Sequence, residues 1–461
     1  MRSFILFLST FLFSVLNLHA QTSILGNWEG AINIQGQQLK VIFNIEGESN
    51  NLTGTIDIPQ QGAMGLKLTQ AEQRADSVFL TFFTGQGNGK FEGTFQADSL
   101  IRGTYSQGAA SFPFEIQKQH KIEAKDQKTG LGKDLIITAD NNTIGGTLVT
   151  PDNSKPSPLV ILISGSGAQD RDSNIFGFKV FAELSEQLKK EGISSFRFDD
   201  RQVGQSSGAF AEATLQMLSE DVGAIIDHLL TLENHQFQKI ILLGHSQGGV
   251  VAGKLAAQNE KIDKLILMAS TGVPLKDVLR FQVKEAFGSG IYPEAQVEKE
   301  INLRESLMEA IRHNGHIETT KENYASHYKK MLNTLSVSQR ANLGNIDSLA
   351  QEQASQLEQA YSSPQMQSLL FYDPKIDLEQ LEIPVLVLFG GKDTQVTETL
   401  NRQPIKRALE RSESRYEIEL FSNANHLFQK ANTGQVIEYQ TLEKKFISGF
   451  TDTLSTWILE N

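Results

Sequence analysis

The chain has 461 residues, with 42 Lys and Arg against 54 Asp and Glu, and it contains no cysteine. Its formal charge of −12 argues against a nucleic-acid-binding protein, which normally carries a basic surface. Without cysteine, a thiol nucleophile, a thiolate metal site and a disulfide are all excluded.

The first twenty residues predict a secretory signal peptide. Arg2 supplies a positive charge, an apolar run extends from Phe4 to Leu16, and Ala20 offers a small residue for cleavage. This run is shorter than the roughly 20 apolar residues that a membrane span needs. We therefore expect a secreted or periplasmic protein whose mature chain begins near residue 21 and has no membrane span.

Residues 21–122 predict a small antiparallel β-domain. Apolar and polar residues alternate in short stretches, such as the one containing Leu39, Val41 and Phe43, and glycine-rich segments separate these stretches. Such a pattern is typical of short strands in a sandwich or barrel. No grouping of His, Asp, Glu and Ser here suggests catalysis, so we interpret the domain as accessory. Binding of a glycan or another ligand is the alternative.

Residues 123–461 predict an α/β domain. Strands that are apolar throughout alternate with helices, which indicates a parallel sheet buried on both faces. A polar, helix-prone segment at about 273–366 interrupts this alternation and predicts a helical cap inserted between two strands. The expected strands are 158–163, 193–198, 239–243, 264–268, 384–389 and 416–421, and the expected helices are 181–190, 215–230, 249–258, 405–410 and 441–459.

The segment Gly-His-Ser-Gln-Gly, residues 244–248, lies between a predicted strand and a predicted helix. A Gly-x-Ser-x-Gly pentapeptide in that place is typical of a nucleophile elbow, a tight turn that presents the serine hydroxyl above the sheet. The glycines avoid collisions with neighbouring elements. The sequence therefore predicts that Ser246 is a nucleophile.

A serine hydroxyl needs a histidine base and a carboxylate that orients this base. In this arrangement the expected order along the chain is serine, acid, histidine. Of the nine histidines, only His426 lies beyond residue 327, in a loop after the last predicted strand. Asp393 ends the preceding strand, whereas Asp373 and Asp377 come before that strand and fit less well. The predicted triad is therefore Ser246, Asp393 and His426.

An oxyanion hole needs backbone N–H groups that face the negative charge developing on the attacked carbonyl. One is expected from Gln247, the residue after the nucleophile, and the other from the loop 164–167. Within that loop we favour the N–H of Ser166, with Gly167 as the alternative. A phosphate-binding loop is the competing interpretation, but the chain has neither G-x-G-x-x-G before a helix nor G-x-x-x-x-G-K-[ST].

Two charge-dense segments, 170–172 and 197–201, lie next to strand ends. We interpret them as ion pairs that brace the loops of the site, with substrate contact as the alternative. His313 and His316 have the i, i+3 spacing of metal ligands, but they lack a convincing third ligand and predict a solvated helix face. We expect neither a metal nor an organic cofactor.

Over about residues 131–461 the chain resembles the α/β-hydrolase superfamily. More narrowly, it is similar to secreted bacterial serine esterases that carry a small N-terminal domain and a helical cap and are related to serine aminopeptidase-type hydrolases. The resemblance implies hydrolysis of small carboxylic esters, with Ser246, Asp393 and His426 as the triad. It is carried by the segments 161–167, 169–172, 197–201, 204–206, 244–249, 363–364, 372–374, 391–393 and 425–428.

One position departs from this resemblance, because Gln202 stands where such hydrolases usually have glycine. If the turn requires a positive φ at this position, a glutamine strains it. We expect an altered loop and retained activity.

Two other functions stay open. An aminopeptidase or an acyltransferase would use the same triad, and an aminopeptidase would also need carboxylates in the cap, such as Glu298, Glu300 or Glu305, to hold a free α-amino group. The other is a surface binding protein that acts through its N-terminal β-domain.

Overall fold

We describe a computed structural model of the chain. It covers residues 22–34, 37–48, 51–58, 63–83, 88–107, 110–119, 132–152, 155–233, 237–287, 292–340 and 345–460. The predicted signal peptide, residues 1–20, lies outside the described residues. Within them, no helix combines the length and the apolar character that crossing a membrane requires.

The N-terminal strands form a closed antiparallel barrel, which settles the choice between sandwich and barrel. Each strand pairs with the next along the chain, and the first pairs with the last, for example Trp28 with Lys118. The strands are β1 (Gly26–Ile34), β2 (Gln37–Glu48), β3 (Asn51–Ile58), β4 (Ala63–Arg74), β5 (Ser77–Phe83), β6 (Asn88–Ala97), β7 (Leu100–Gln107) and β8 (Ala110–Lys118).

Aromatic side chains fill the centre of the barrel. The Phe91 ring lies 4.7 Å from that of Phe43, 4.8 Å from Tyr105 and 5.0 Å from Phe114, measured between ring centroids. Trp28 is also fully buried. Because alternate residues of a strand face opposite sides, the alternation in the sequence places one set of side chains inside and leaves the polar set outside.

The second sheet has eight strands in the spatial order β18-β17-β16-β15-β11-β14-β10-β9. The six strands from β18 to β14 are parallel, and β10 runs antiparallel to both β14 and β9. A short hairpin, β12–β13, follows β11. The strands are β9 (Lys133–Thr138), β10 (Thr143–Val149), β11 (Ser157–Ile163), β12 (Asn174–Ile175), β13 (Phe178–Lys179), β14 (Ser194–Phe198), β15 (Phe237–His245), β16 (Lys264–Met268), β17 (Val385–Gly390) and β18 (Tyr416–Phe421).

Helices cover both faces of this sheet, as continuous apolar strands require. The helices are α1 (Val180–Lys190), α2 (Leu215–Leu230), α3 (Gln247–Ala256), α4 (Leu275–Phe287), α5 (Glu294–Arg312), α6 (Ile317–Thr334), α7 (Val337–Arg340), α8 (Ile346–Ser362), α9 (Pro364–Leu370), α10 (Lys375–Leu378), α11 (Glu398–Arg411) and α12 (Phe450–Leu459). Side chains of α2, α3 and α11 pack into the core on one face, and those of α1 and α12 pack on the other. Helices α4 to α9, residues 275–370, lie between β16 and β17 and are called the cap below.

Three local features differ from the sequence expectations. Strands β9 and β10 were not expected, and β9 is largely exposed, so it lacks the apolar run that marks the central strands. Helix α11 starts at Glu398 although Pro404 lies inside it, whereas a proline usually ends a helix. Helix α12 starts only at Phe450, after Gly449 with a φ of 84°. The strands expected at 158–163, 239–243, 264–268 and 416–421 are confirmed as parts of β11, β15, β16 and β18.

Candidate active site

Ser246 occupies a strained turn between β15 and α3. Its backbone has a φ of 55° and a ψ of −121°, a combination that non-glycine residues rarely adopt. The Ser246 N–H donates to the Met268 carbonyl at 2.9 Å, which ties the turn to the end of β16. Such strain persists only where the surroundings enforce it, and it is frequent at functional sites.

The glycines around Ser246 are required by close backbone contacts. A Cβ on Gly244 would lie 2.3 Å from the Gly248 carbonyl oxygen. A Cβ on Gly248 would lie 2.3 Å from the carbonyl oxygens of both Ile163 and Ser164. The pentapeptide therefore forms the tight strand–turn–helix that the sequence predicted, with Ser246 at its tip.

Asp393 and His426 are hydrogen-bonded to each other. Asp393 follows β17, His426 follows β18, and the His426 Nδ1 lies 2.7 Å from Asp393 Oδ2. The other carboxylate oxygen, Oδ1, accepts the backbone N–H groups of Gln395 at 2.8 Å and Val396 at 2.9 Å. Since an ionised carboxylate only accepts hydrogen bonds, this bond requires a proton on Nδ1, and in the neutral imidazole ring Nε2 is then the acceptor.

A rigid turn holds His426. The preceding Asn425 is fully buried, and its Oδ1 accepts the N–H groups of Leu427 at 3.0 Å and Gln429 at 2.9 Å. Lys392, one residue before the acid, donates its N–H to the Ala424 carbonyl at 2.9 Å. The loop that carries Asp393 (the acid loop) and the loop that carries His426 (the histidine loop) are thus joined by backbone as well as side-chain hydrogen bonds.

His245 connects this pair to the elbow. Its Nε2–H donates to the His426 carbonyl at 3.0 Å, and the two rings lie 4.6 Å apart. Burial lowers the pKa of His245 to about 3, so it stays neutral. Ser246 is therefore next to a residue in contact with His426. Among the described contacts, no hydrogen bond joins Ser246 Oγ directly to His426, and such bonds often tighten only when substrate is bound.

The expected oxyanion loop lies against the elbow. A Cβ on Gly165 would lie 3.3 Å from the Ser246 Cβ. Ser166 is exposed, and Gly167 has a φ of 81°. Gln247 is the first residue of α3, so its N–H belongs to the positive end of that helix. Both candidate N–H donors are thus on segments beside Ser246.

The charge-dense segments form ion pairs below this loop. Arg171 pairs with Asp199 at 2.6 Å, and Arg201 pairs with Asp221 at 2.6 Å. This agrees with the bracing interpretation. The neighbouring Gln202 keeps a positive φ of 74° and is exposed, so the turn has the geometry expected for the glycine that it replaces.

Two residues near the predicted triad, Tyr439 and Gln395, carried no recognisable sequence signal. Tyr439, in a 3-10 helix at Val436–Gln440, is buried, and its hydroxyl accepts from Gln395 Nε2 at 3.2 Å. Burial, followed by the nearby charge of Asp393, raises the Tyr439 pKa, which keeps the phenol neutral. The Tyr439 side chain thus contacts the acid loop through Gln395, and this contact forms only when the chain folds.

The predicted histidine pair in the cap is solvated. Both His313 and His316 are exposed. Across the part of the chain that the structure describes, no three His, Asp or Glu side chains converge in a group that could hold a metal ion.

The chain is similar in sequence to known hydrolases. Residues 158–432 match the model of the alpha/beta hydrolase fold family. Esterase EstD of Thermotoga maritima is 23% identical over 447 residues, which is 94% of this chain and 92% of that protein. A putative esterase/lipase of Haemophilus influenzae is 32% identical over 138 residues, 28% of this chain and 42% of that protein. A solved structure of the Pyrococcus furiosus esterase Pf2001 aligns over 71% of this chain and 88% of its own, with 14% identity and a TM-score of 0.43.

The family match spans more than half of the chain and includes the elbow, the acid loop and the histidine loop. The chain therefore belongs to the α/β-hydrolase fold family.

Proposed function

We propose that this hydrolase is a serine esterase that cleaves carboxylic esters of small molecules through an acyl-enzyme intermediate. The observation that carries the proposal is the 2.7 Å bond between His426 Nδ1 and Asp393 Oδ2, placed beside a strained Ser246 turn. Similarity to an esterase over nearly the whole chain supports the same reaction class.

In the proposed mechanism, His426 Nε2 takes the proton of Ser246 as the hydroxyl oxygen attacks the ester carbonyl carbon. The carbonyl becomes a tetrahedral oxyanion. As it collapses, the bond to the alcohol breaks, and the histidine returns its proton to the leaving oxygen. A water molecule then attacks the acyl-serine, with His426 as its base, and releases the acid as Ser246 regains its proton. Asp393 stabilises the imidazolium formed at each step.

The oxyanion is held by the backbone N–H groups of Gln247 and Ser166 in this proposal. Gln247 is favoured because its N–H opens a helix directly after the nucleophile, where the helix dipole also favours negative charge. The Ser166 assignment rests on its position next to Gly165, which lies close to the elbow. Gly167 remains the alternative donor within that loop.

Contacts in the cap favour an ester over a peptide substrate. Glu298 and Glu305 both pair with Arg280, at 3.3 Å and 2.8 Å. Glu300 is fully buried and pairs with Arg304 at 2.7 Å. These three cap carboxylates are therefore already paired with arginine, two of them with the same one, and are less available to hold a free α-amino group.

We propose an accessory role for the barrel. Its centre is packed with aromatic rings, which leaves the outer surface as the part available for contact with other molecules. We also propose secretion through cleavage near Ala20; mass spectrometry of the exported chain would test this, and a chain retaining residues 1–20 would contradict it.

Hydrolysis of nitrophenyl esters from acetyl to decanoyl, beside aminoacyl nitroanilides, tests the function. Ser246→Ala should lower ester turnover by about 10³-fold or more, since removal of the nucleophile disables the triad. Ser270→Ala is the matched control, because this buried serine lies next to Gly249, directly after the elbow. Its Oγ has no hydrogen-bond partner among the described residues, and the variant should keep its activity. Nitroanilide turnover well above ester turnover would favour the peptidase, and turnover that survives in Ser246→Ala would refute the triad.

A further inference from the structure

One buried carboxyl group joins the two ends of the loop that precedes the elbow. Asp200 follows β14, the sheet neighbour of β11, and its Oδ2 accepts the Ser164 hydroxyl at 2.7 Å and the Gln169 N–H at 2.9 Å. The Asp200 N–H in turn donates to the Gln169 carbonyl at 3.0 Å. Asp200 thereby fixes where the loop 164–169 leaves the sheet and where it returns.

The loop between these two anchors lies beside the nucleophile. Gly165 approaches Ser246, and among the described contacts the Ser166 carbonyl accepts a single hydrogen bond, from the side-chain Nε2 of Gln169 at 3.1 Å. A shift of either anchor would therefore move the N–H groups of Ser166 and Gly167 relative to Ser246. Catalysis by such donors is sensitive to displacements of about 1 Å.

On one side, apolar packing alone does not hold the loop 164–169 in place. A narrow cavity lies behind it, lined by Ser164, Gly165, Asp200 and Gln247. Polar or charged side chains and apolar side chains complete the lining, among them Asn142, Asp199, Arg201, Asp221, Ile163 and Leu218. A water-sized sphere could occupy about 20 Å³ of this cavity, which is room for about one water molecule. On this side the loop is supported by the Asp200 carboxyl group and not by a continuous apolar layer.

The charge environment also sets Asp200 apart from its neighbours. Asp199 pairs with Arg171, and Asp221 pairs with Arg201. Among the described residues, Asp200 makes no ion pair, and its side-chain hydrogen bonds go to the loop. Burial raises the pKa of Asp200 to about 7, although the bonds from Ser164 and Gln169 oppose this rise. A buried carboxyl group without a cation destabilises the fold, so packing does not explain its presence.

We propose that Asp200 is a positioning residue for the reaction, holding the loop 164–169 so that its N–H groups face the oxyanion formed at Ser246. This inference rests on the proposed esterase function. It assigns Asp200 a role through the loop, without contact to the substrate.

The test compares three variants of the full chain by ester hydrolysis. Asp200→Ala removes the acceptor and should lower kcat about 10- to 100-fold with KM within about threefold, since the loss falls on the transition state. Asp200→Asn retains one oxygen that can accept both loop bonds and should keep kcat within about fivefold. Asp377→Asn, at a buried aspartate on α10 that accepts from the Tyr372 hydroxyl, should keep kcat per folded molecule within about threefold, because among the described contacts it has no bond to the loop.

Amide hydrogen exchange of the peptide spanning residues 164–170 gives a second readout that needs no turnover. Exchange should rise in Asp200→Ala and stay near the wild-type rate in Asp377→Asn. Unchanged exchange in Asp200→Ala, an unchanged kcat, or an equal loss of kcat in Asp200→Asn or Asp377→Asn would overturn the proposal. Absence of Ser246-dependent turnover in the wild type would instead contradict the esterase function, and exchange would still decide whether Asp200 holds the loop.

Discussion

The barrel and the site-bearing edge of the α/β sheet bury different kinds of side chain. Among the described barrel residues, Thr81 is the only buried polar side chain besides the Tyr105 phenol, and the rest of the interior is apolar. At the carboxyl edge of the sheet, buried charged or titratable groups are concentrated, namely Asp199, Asp200, Arg201, Asp221, Asp393 and His426.

Burial of apolar rings stabilises a fold directly, whereas burial of a charge costs free energy unless partners compensate it. The barrel therefore has the composition of a region selected for packing. At the sheet edge, buried charged groups cost folding free energy that an apolar interior would avoid. This marks the edge as the region where side chains serve chemistry. The following experiments test this contrast, beginning with the largest expected effect.

Asp393→Asn should lower kcat by about 10⁴-fold. The new amide NH₂ would donate to His426 Nδ1, which forces the proton onto Nε2 and removes the base. Steady-state ester hydrolysis measures the loss. Asp373→Asn is the control, because that half-exposed aspartate pairs with Lys375 before β17 and its variant should keep wild-type turnover. A large loss in the control would mean that the acid of the triad has been misassigned.

Phe91→Ala should destabilise the barrel by about 3–5 kcal/mol, since it removes a buried ring with three close aromatic neighbours. Activity should be unchanged wherever the barrel stays folded. The chain has two tryptophans, Trp28 in the barrel and Trp457 on α12. In a Trp457→Phe background Trp28 is the remaining tryptophan, so its fluorescence during urea unfolding reports on the barrel alone.

Phe79→Ala serves as the matched control for that experiment. Phe79 lies on β5, the strand paired with the β6 strand of Phe91; it is partly exposed beneath Arg74, and its loss should cost only about 1 kcal/mol. If Phe91→Ala lowered kcat while the barrel remained folded, the barrel would contribute to the active site and the contrast between the two regions would fail.

Glu300→Gln should destabilise the cap by about 3 kcal/mol, because Arg304 would lose its buried counter-charge. Tyr324 also donates to Glu300 at 2.8 Å, and His327 lies 3.5 Å from it. Circular dichroism during urea unfolding follows the helices of the chain, to which the described residues of the cap contribute six. Glu298→Gln affects a more exposed pair and should change stability by less than about 1 kcal/mol; equal effects of the two variants would show that burial of the pair is unimportant.

The smallest expected effect concerns pH. The folded-state pKa of Asp200, raised to about 7, exceeds its unfolded value, so its protonated form favours folding and this contribution is lost as pH rises through 7. Between pH 5 and pH 8 the wild type should lose about 2 kcal/mol more stability than Asp200→Asn. Urea unfolding followed by Trp457 in a Trp28→Phe background measures this difference, and parallel pH profiles of the two proteins would contradict it.

Much of the fold was predictable because its signals are local. The central strands are continuous apolar runs, and the elbow combines a strand, a short motif and a helix at one point in the chain. His426 was predictable by its position after the last strand, and Asp393 by its position at the end of the strand before it.

The remaining features depend on contacts between distant segments. β9 is mostly exposed and carries no strong apolar pattern. Tyr439 reaches the acid loop through Gln395, from a segment that the sequence assigned to no element. Asp200 was visible only as part of a charged run, and its bonds to Ser164 and Gln169 arise from the adjacency of β11 and β14 in the sheet.

Closure of the barrel also bears on the order in which the chain folds during synthesis. Every strand partner of the barrel lies within residues 26–118, because β1 pairs with β8. The α/β sheet needs β18, which ends at Phe421. Since the N-terminal segment leaves the ribosome first, the barrel can complete its pairing before β11 is translated. A chain that stalls between β11 and β18 would therefore carry a finished domain ahead of an unfinished one.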